Sequence, residues 1–141
     1  MYDAILFPTD GSEGANAALS HALALAETFD ATLHVLYVAD SNRDSVTTVG
    51  REVVDALETE GQSVVDDVVE RARTAGVSTV DEVVQGGPHR TIVDYADARD
   101  VDVIVMATHG RTGLDRYLLG SVTAKVVRTS PVPVLTVKME R

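Results

Sequence analysis

Met106-Ala107-Thr108-His109-Gly110-Arg111-Thr112-Gly113-Leu114-Asp115-Arg116-Tyr117-Leu118-Leu119-Gly120-Ser121-Val122-Thr123 is the stretch whose reading decides the fold. An apolar run rich in β formers (Val101, Val103, Ile104, Val105, Met106) feeds into it, and a helix-like run (Val122, Ala124, Val126, Val127) leaves it. Glycine lets a backbone approach a ligand closely. A helix start offers free N–H groups and the positive end of a dipole. Strand, glycine-rich turn and helix start in that order make an anion site, and phosphate is the commonest anion to use one.

The same alternation extends to either side. Tyr2 to Pro8 reads as a buried strand, closed by the turn Pro8-Thr9-Asp10-Gly11-Ser12. Ser12 or Asp10 can cap the helix that follows, from Glu13 to Phe29, where Ala18, Leu19, Ala22, Leu25, Ala26 and Phe29 recur at helical spacing. Ala31 to Val38 is a second strand, and Ala39 to Thr48 a polar loop without a period. Val49 to Ala75 is the longest helix, with Val53, Val54, Leu57, Val64, Val65, Val68 and Ala72 as its buried stripe, Gly61 as a point of bending and Gly76 as its stop. Ser78 to Gln85 is a third strand, and Gly86-Gly87-Pro88 opens a helix to Arg99. Val101 to Met106 is the fourth strand, Ser121 to Arg128 a short helix, and Val132 to Lys138 the fifth strand.

Strands alternating with helices imply an α/β fold, a parallel sheet with helices on both faces. Right-handed crossovers leave few topologies, and ligands in such sheets bind beyond the C-terminal strand ends where strand order reverses. With strands one and four as neighbours, the turn at Asp10 and the glycine-rich stretch meet at one crevice.

Composition narrows the function. The 141 residues carry 12 basic and 22 acidic side chains, a net charge of −10. Such a field repels nucleic acid and anionic membrane, so neither is an expected partner. There is no cysteine, which excludes disulfides and thiolate chemistry. No apolar run reaches membrane-spanning length, and the first residues read as a strand, not a signal peptide, so the expected location is the cytoplasm. One domain over 1–141 is the simplest organisation. The only lysines are Lys125 and Lys138 against ten arginines. Two readings of this surface stay open: a halophilic source, whose proteins stay hydrated in high salt, or an ordinary acidic surface.

Taken together, Ile5-Leu6-Phe7-Pro8-Thr9-Asp10-Gly11-Ser12, Gly86-Gly87-Pro88, His109-Gly110-Arg111-Thr112-Gly113, Leu119-Gly120-Ser121-Val122 and Pro131-Val132-Pro133-Val134-Leu135 give the chain a resemblance to the universal stress protein family over nearly its whole length. No single match is specific; their order and spacing are. The resemblance implies a Rossmann-like five-stranded parallel sheet in the order 3-2-1-4-5. ATP-binding members carry Gly-x2-Gly-x9-Gly-Ser/Thr; here Gly110, Gly120 and Ser121 fit it, and Ala107 stands at the first glycine. By the resemblance, Pro8, Thr9 and Asp10 line the nucleotide at strand one. Val38 and Ala39 supply backbone groups and an apolar wall for adenine, and Ala107, Gly110, Gly120, Ser121 and Val122 hold ribose and phosphates. His109, Arg111, Gly113 and Thr123 lie in the same stretch and complete the candidate set. Mg2+ is the expected bridging cation, since it commonly needs few protein ligands beside phosphates. The resemblance also implies a homodimer, through the apolar last strand, 132–138.

Each signal has a plainer alternative. Gly110 and Gly113 serve equally as turn glycines, Ser121 as a helix cap, and Asp10 as a turn acid. Arg116 reads rather as a partner of Asp115, His109 as a loop hydrogen-bonder, and Tyr37 as a packing aromatic. His21, His34 and His89 lack metal-ligand spacing. The P-loop Gly-x4-Gly-Lys-Ser/Thr and the Gly-x-Ser-x-Gly elbow are missing, and no residue stands out as a general base. No catalytic residue is assigned. The expected function is ATP binding as a regulatory ligand, the alternatives being a dimeric interaction module without nucleotide or a slow ATP hydrolase.

Overall fold

The computed structural model describes residues 1–40, 51–108 and 121–138. The elements run β1 (Ala4–Pro8), α1 (Glu13–Phe29), β2 (Thr32–Ala39), α2 (Arg51–Thr74), β3 (Thr79–Gln85), α3 (Pro88–Ala98), β4 (Val103–Ala107), α4 (Ser121–Thr129) and β5 (Val134–Val137). The five strands form one sheet in the order β3-β2-β1-β4-β5, every pair parallel. This is the doubly wound order expected from the alternation of elements.

Central strands buried on both faces need apolar residues without a gap. β1 supplies Ile5, Leu6 and Phe7, and β4 supplies Val103 to Met106, all buried. Alternate residues feed two cores. Ile5, Phe7, Val35, Tyr37, Val103, Val105 and Val137 pack with α1 and α2 on one face. Leu6, Leu36, Ile104 and Met106 pack with Ile92, Tyr95 and Ala96 of α3 and Val126 of α4 on the other. The stripe that α1 buries is mostly Ala15, Ala18, Ala22 and Ala26, small residues that let the helix lie close to the sheet. Ser12 starts α1 by accepting the Ala15 N–H at 3.2 Å.

Several expectations shift. β1 begins at Ala4, β4 at Val103 and β5 at Val134, and β2 includes Ala39. Phe29 is not core: it is 37 % exposed and meets the edge of the Tyr2 ring at 5.1 Å. The side chains of Val53 and Val54, within α2, and most of the loop placed at 39–48 lie outside what is described. α2 runs uninterrupted through Gly61, whose role is clearance. A Cβ there would stand 2.4 Å from Cδ1 of Tyr37, so the helix meets the Tyr37 ring only because the side chain is missing. Tyr37 packs as expected, and its hydroxyl donates to Glu60 at 3.3 Å.

The corners at the N-terminal edge of the sheet are held by aspartates. Asp102 Oδ2 accepts the N–H groups of Asp3 (2.7 Å) and Ala4 (3.0 Å), and its own N–H is donated to Ala4 O at 2.8 Å. Those bonds fasten the start of β1 to the start of β4. Asp30 and Asp100, which follow α1 and α3, both sit in the left-handed region at φ 52°, where glycine or asparagine is the usual occupant.

His34 on β2 lies against α3, its Nδ1 2.8 Å from the Tyr95 hydroxyl. Arg99 lies 5.1 Å over the Tyr95 ring and pairs with Glu82 at 3.2 Å. Burial first, and the Arg99 charge second, hold the His34 pKa below its ordinary value. The unfolded chain therefore binds the extra proton more readily. The stability that neutral His34 contributes is complete above the unfolded value near 6.5 and is lost as pH falls through the folded one. Urea unfolding between pH 7 and pH 5 should show a shallower loss of stability in His34→Gln than in the natural sequence. In the same assay at pH 7, Gly61→Ala should destabilise by about 1–2 kcal/mol, overpacking outweighing the helix propensity gained.

Candidate functional site

β1 and β4 are neighbours, yet the chain leaves them in opposite directions. After β1 it turns to α1 on one face; after β4 it reaches α4 on the other. Two parallel strands whose exits part in this way leave a crevice over their C-terminal ends. The direction in which successive strands are added reverses at this pair.

The pairing between the two strands stops short of that crevice. β1 stays in register with β2 up to Pro8↔Leu36. With β4 the register ends at Leu6↔Ile104, although both strands continue.

The turn after β1 is held by its own side chains. Thr9 N–H is donated to Leu36 O at 2.9 Å. Thr9 Oγ1 accepts the Gly11 N–H at 3.1 Å, and Asp10 Oδ1 accepts the Ser12 N–H at 2.9 Å. Asp10 thus closes an Asx turn while Ser12 caps α1, dividing two roles that the sequence left open between them. Gly11, at φ +79°, lies against Val64 of α2, where an added Cβ would meet Val64 Cγ2 at 2.9 Å.

Across the crevice, Thr108 N–H is donated to Val137 O at 3.0 Å, tying the end of β4 to β5. Thr123, in the first turn of α4, donates its hydroxyl to Ala107 O at 2.8 Å. This bond fixes the start of α4 against the last residue of β4. Ser121 is exposed at the helix start, and Val122 packs with the α3–α4 core. Thr9, Thr108 and Thr123 are the buried threonines among the described residues, at 7, 6 and 6 % exposure. Thr9 and Thr108 directly follow β1 and β4, and Thr123 is bonded to the last residue of β4.

The structure therefore brings together Pro8, Thr9, Asp10, Ala107, Ser121, Val122 and Thr123. Val38 and Ala39, at the end of β2, flank them but point oppositely: Val38 packs with the α3–α4 core and Ala39 with the α1–α2 core. The Ala107 methyl also packs on the α1–α2 side, away from the face that carries α4. His109, Gly110, Arg111, Gly113 and Gly120 lie outside the described residues. Thr108 and Gly11 adjoin the same strand ends, although they lie outside the candidate set read from the sequence. The signal for Thr108 is a hydroxyl placed directly after an all-apolar strand; that for Gly11 is its place in the turn after β1. Among the described residues no three His, Asp or Glu side chains converge to hold a metal, and no helix is long and apolar enough to cross a membrane.

The profile of the universal stress protein family matches residues 1–138. Universal stress protein MJ0531 of Methanocaldococcus jannaschii is 38 % identical, over 98 % of this chain and 83 % of its own. The chain belongs to the universal stress protein family. Universal stress protein MJ0577 of the same organism is 35 % identical over 98 % of this chain and 96 % of its own. Its solved structure superposes with a TM-score of 0.90 at 37 % identity, covering 100 % of this chain and 99 % of that one. A universal stress protein solved in complex with cAMP superposes with a TM-score of 0.76 at 27 % identity, covering 96 % and 97 %. The crevice described above is thus set in a universal stress protein fold.

Proposed function

We propose that this universal stress protein is a single nucleotide-binding domain that takes ATP, with Mg2+, as a regulatory ligand in the crevice over β1 and β4. The observation that carries the reading is the gathering of the three buried threonines among the described residues, Thr9, Thr108 and Thr123, at that crevice, beside the start of α4. A helix start suits phosphate, and the exposed Ser121 hydroxyl stands there to add a bond. The Ala107 methyl, the departure from the glycine motif, turns to the α1–α2 side and so does not crowd the start of α4. The relative that binds cAMP supports an adenine nucleotide as the ligand class. The roles given to Pro8, Thr9, Asp10, Val38, Ala39, Ser121, Val122 and Thr123 belong to this reading, as do those of His109, Gly110, Arg111, Gly113 and Gly120. ATP with Mg2+ titrated into nucleotide-free protein should release heat, and Gly120→Val should lose most of it. No heat from either protein would overturn the reading in favour of an interaction module without nucleotide.

The protein acts in the cytoplasm as a homodimer paired through β5. Eighteen consecutive residues, Ser121 to Lys138, contain no carboxylate in a chain that has 22. This is the stretch where two strongly acidic copies can meet with least repulsion. It also exposes Val127 (47 %) and Leu135 (40 %). The opposite edge, β3, carries Asp81 and Glu82, charges that discourage strand addition. Light scattering should give the mass of a dimer, and Leu135→Asp that of a monomer at the same concentration. A monomeric natural sequence removes the dimer from the proposal.

A further inference from the structure

Successive N–H groups of a strand point to opposite neighbours. Thr9 N–H is donated to Leu36 on β2, so the N–H groups of Ile5 and Phe7 face β2 as well, and those of the even-numbered residues face β4. After Leu6 the next even position is Pro8, which has no N–H to give. In the register Leu6↔Ile104 the missing donor is the one that would reach Val105 O. The β1–β4 ladder ends at this point, while the β1–β2 ladder, to which Pro8 owes no N–H, runs on to Pro8↔Leu36. At the other end of the same pair Asp102 fastens the strands with three bonds.

We propose that Pro8 is a positioning residue for the ligand crevice, acting through the hydrogen bond it cannot make. It ends the ladder between β1 and β4 while leaving β1 anchored to β2. The exits of β1 and β4 can then part around an adenine nucleotide without breaking a bond. A residue with an N–H at position 8 would zip the two strands one step further, and nucleotide would have to break that bond on entering. The inference rests on the nucleotide reading above, but its structural half can be tested without nucleotide.

The test compares Pro8→Ala, which restores the N–H, with Pro8→N-methylalanine, which lacks both the ring and the N–H. The second variant is made by ligating a synthetic 1–14 thioester to residues 15–141 carrying cysteine at position 15, then desulfurising to restore the natural Ala15. The chain has no cysteine that this step could damage. In Pro8→Ala the new amide at position 8 should be protected from hydrogen exchange, and calorimetry with ATP and Mg2+ should show affinity about five- to tenfold below the natural sequence, the worth of one ladder bond. The N-methylalanine protein should bind more tightly than Pro8→Ala, since it forfeits no such bond. Free exchange at position 8 overturns the ladder argument. Protection with unchanged affinity overturns the positioning role. Equal loss in both variants assigns the effect to the ring and overturns it too. A natural sequence that gives no heat fails the nucleotide reading itself and takes the positioning role with it.

Discussion

One seam organises this molecule: the junction of β1 and β4, adjacent strands whose following helices depart to opposite faces. Everything on the side of β2 and β3 is wound in one sense from β1, and β4 and β5 are added on the other side after the chain crosses back. The seam is tight at its N-terminal end, where the Asp102 carboxylate takes two amides, those of Asp3 and Ala4, and unpaired at its C-terminal end beyond Leu6↔Ile104. A sheet closed along the whole of β1 and β4 would still be stable, but would give a ligand less access to the backbone there.

The polar groups at that unpaired end are few and placed. Thr9 stabilises the turn that leaves β1, Thr123 binds α4 to the Ala107 carbonyl, and Thr108 is joined to β5 through its amide. A buried hydroxyl is tolerated only with a partner, and no buried side-chain polar atom among the described residues lacks one. These bonds hold the start of α4 to the end of β4 and the turn after β1 to β2.

Most of the fold was legible in the sequence because its signals are local. Apolar runs mark β1 and β4, alanine and valine recur at helical spacing in α1 and α2, and Pro88 begins α3 where a helix tolerates proline. What was not legible depends on partners distant in the chain. Gly61 reads as a weak point in a helix until Tyr37 is placed opposite it. Phe29 has core periodicity, but it packs on the Tyr2 ring and stays partly exposed. Of the candidate site, the turn after β1 and the start of α4 could be found from the resemblance. The parity that aims position 8 at β4 could not, because it is a property of register. The opposite facings of Val38 and Ala39 are likewise plain from strand alternation, but only once the two core faces are known.

Asp30 and Asp100 follow from the same economy of corners. Each places a side chain where the backbone favours glycine, and each sets a negative charge beside the carbonyl end of a helix, which repels it. Their cost has two parts that respond differently to the medium. The backbone part is fixed. The electrostatic part shrinks as dissolved ions gather round the carboxylates. The two corners that return the chain to β2 and β4 are therefore firmer in brine than in dilute buffer, and the sheet's N-terminal rim registers the ionic strength of the solution around it.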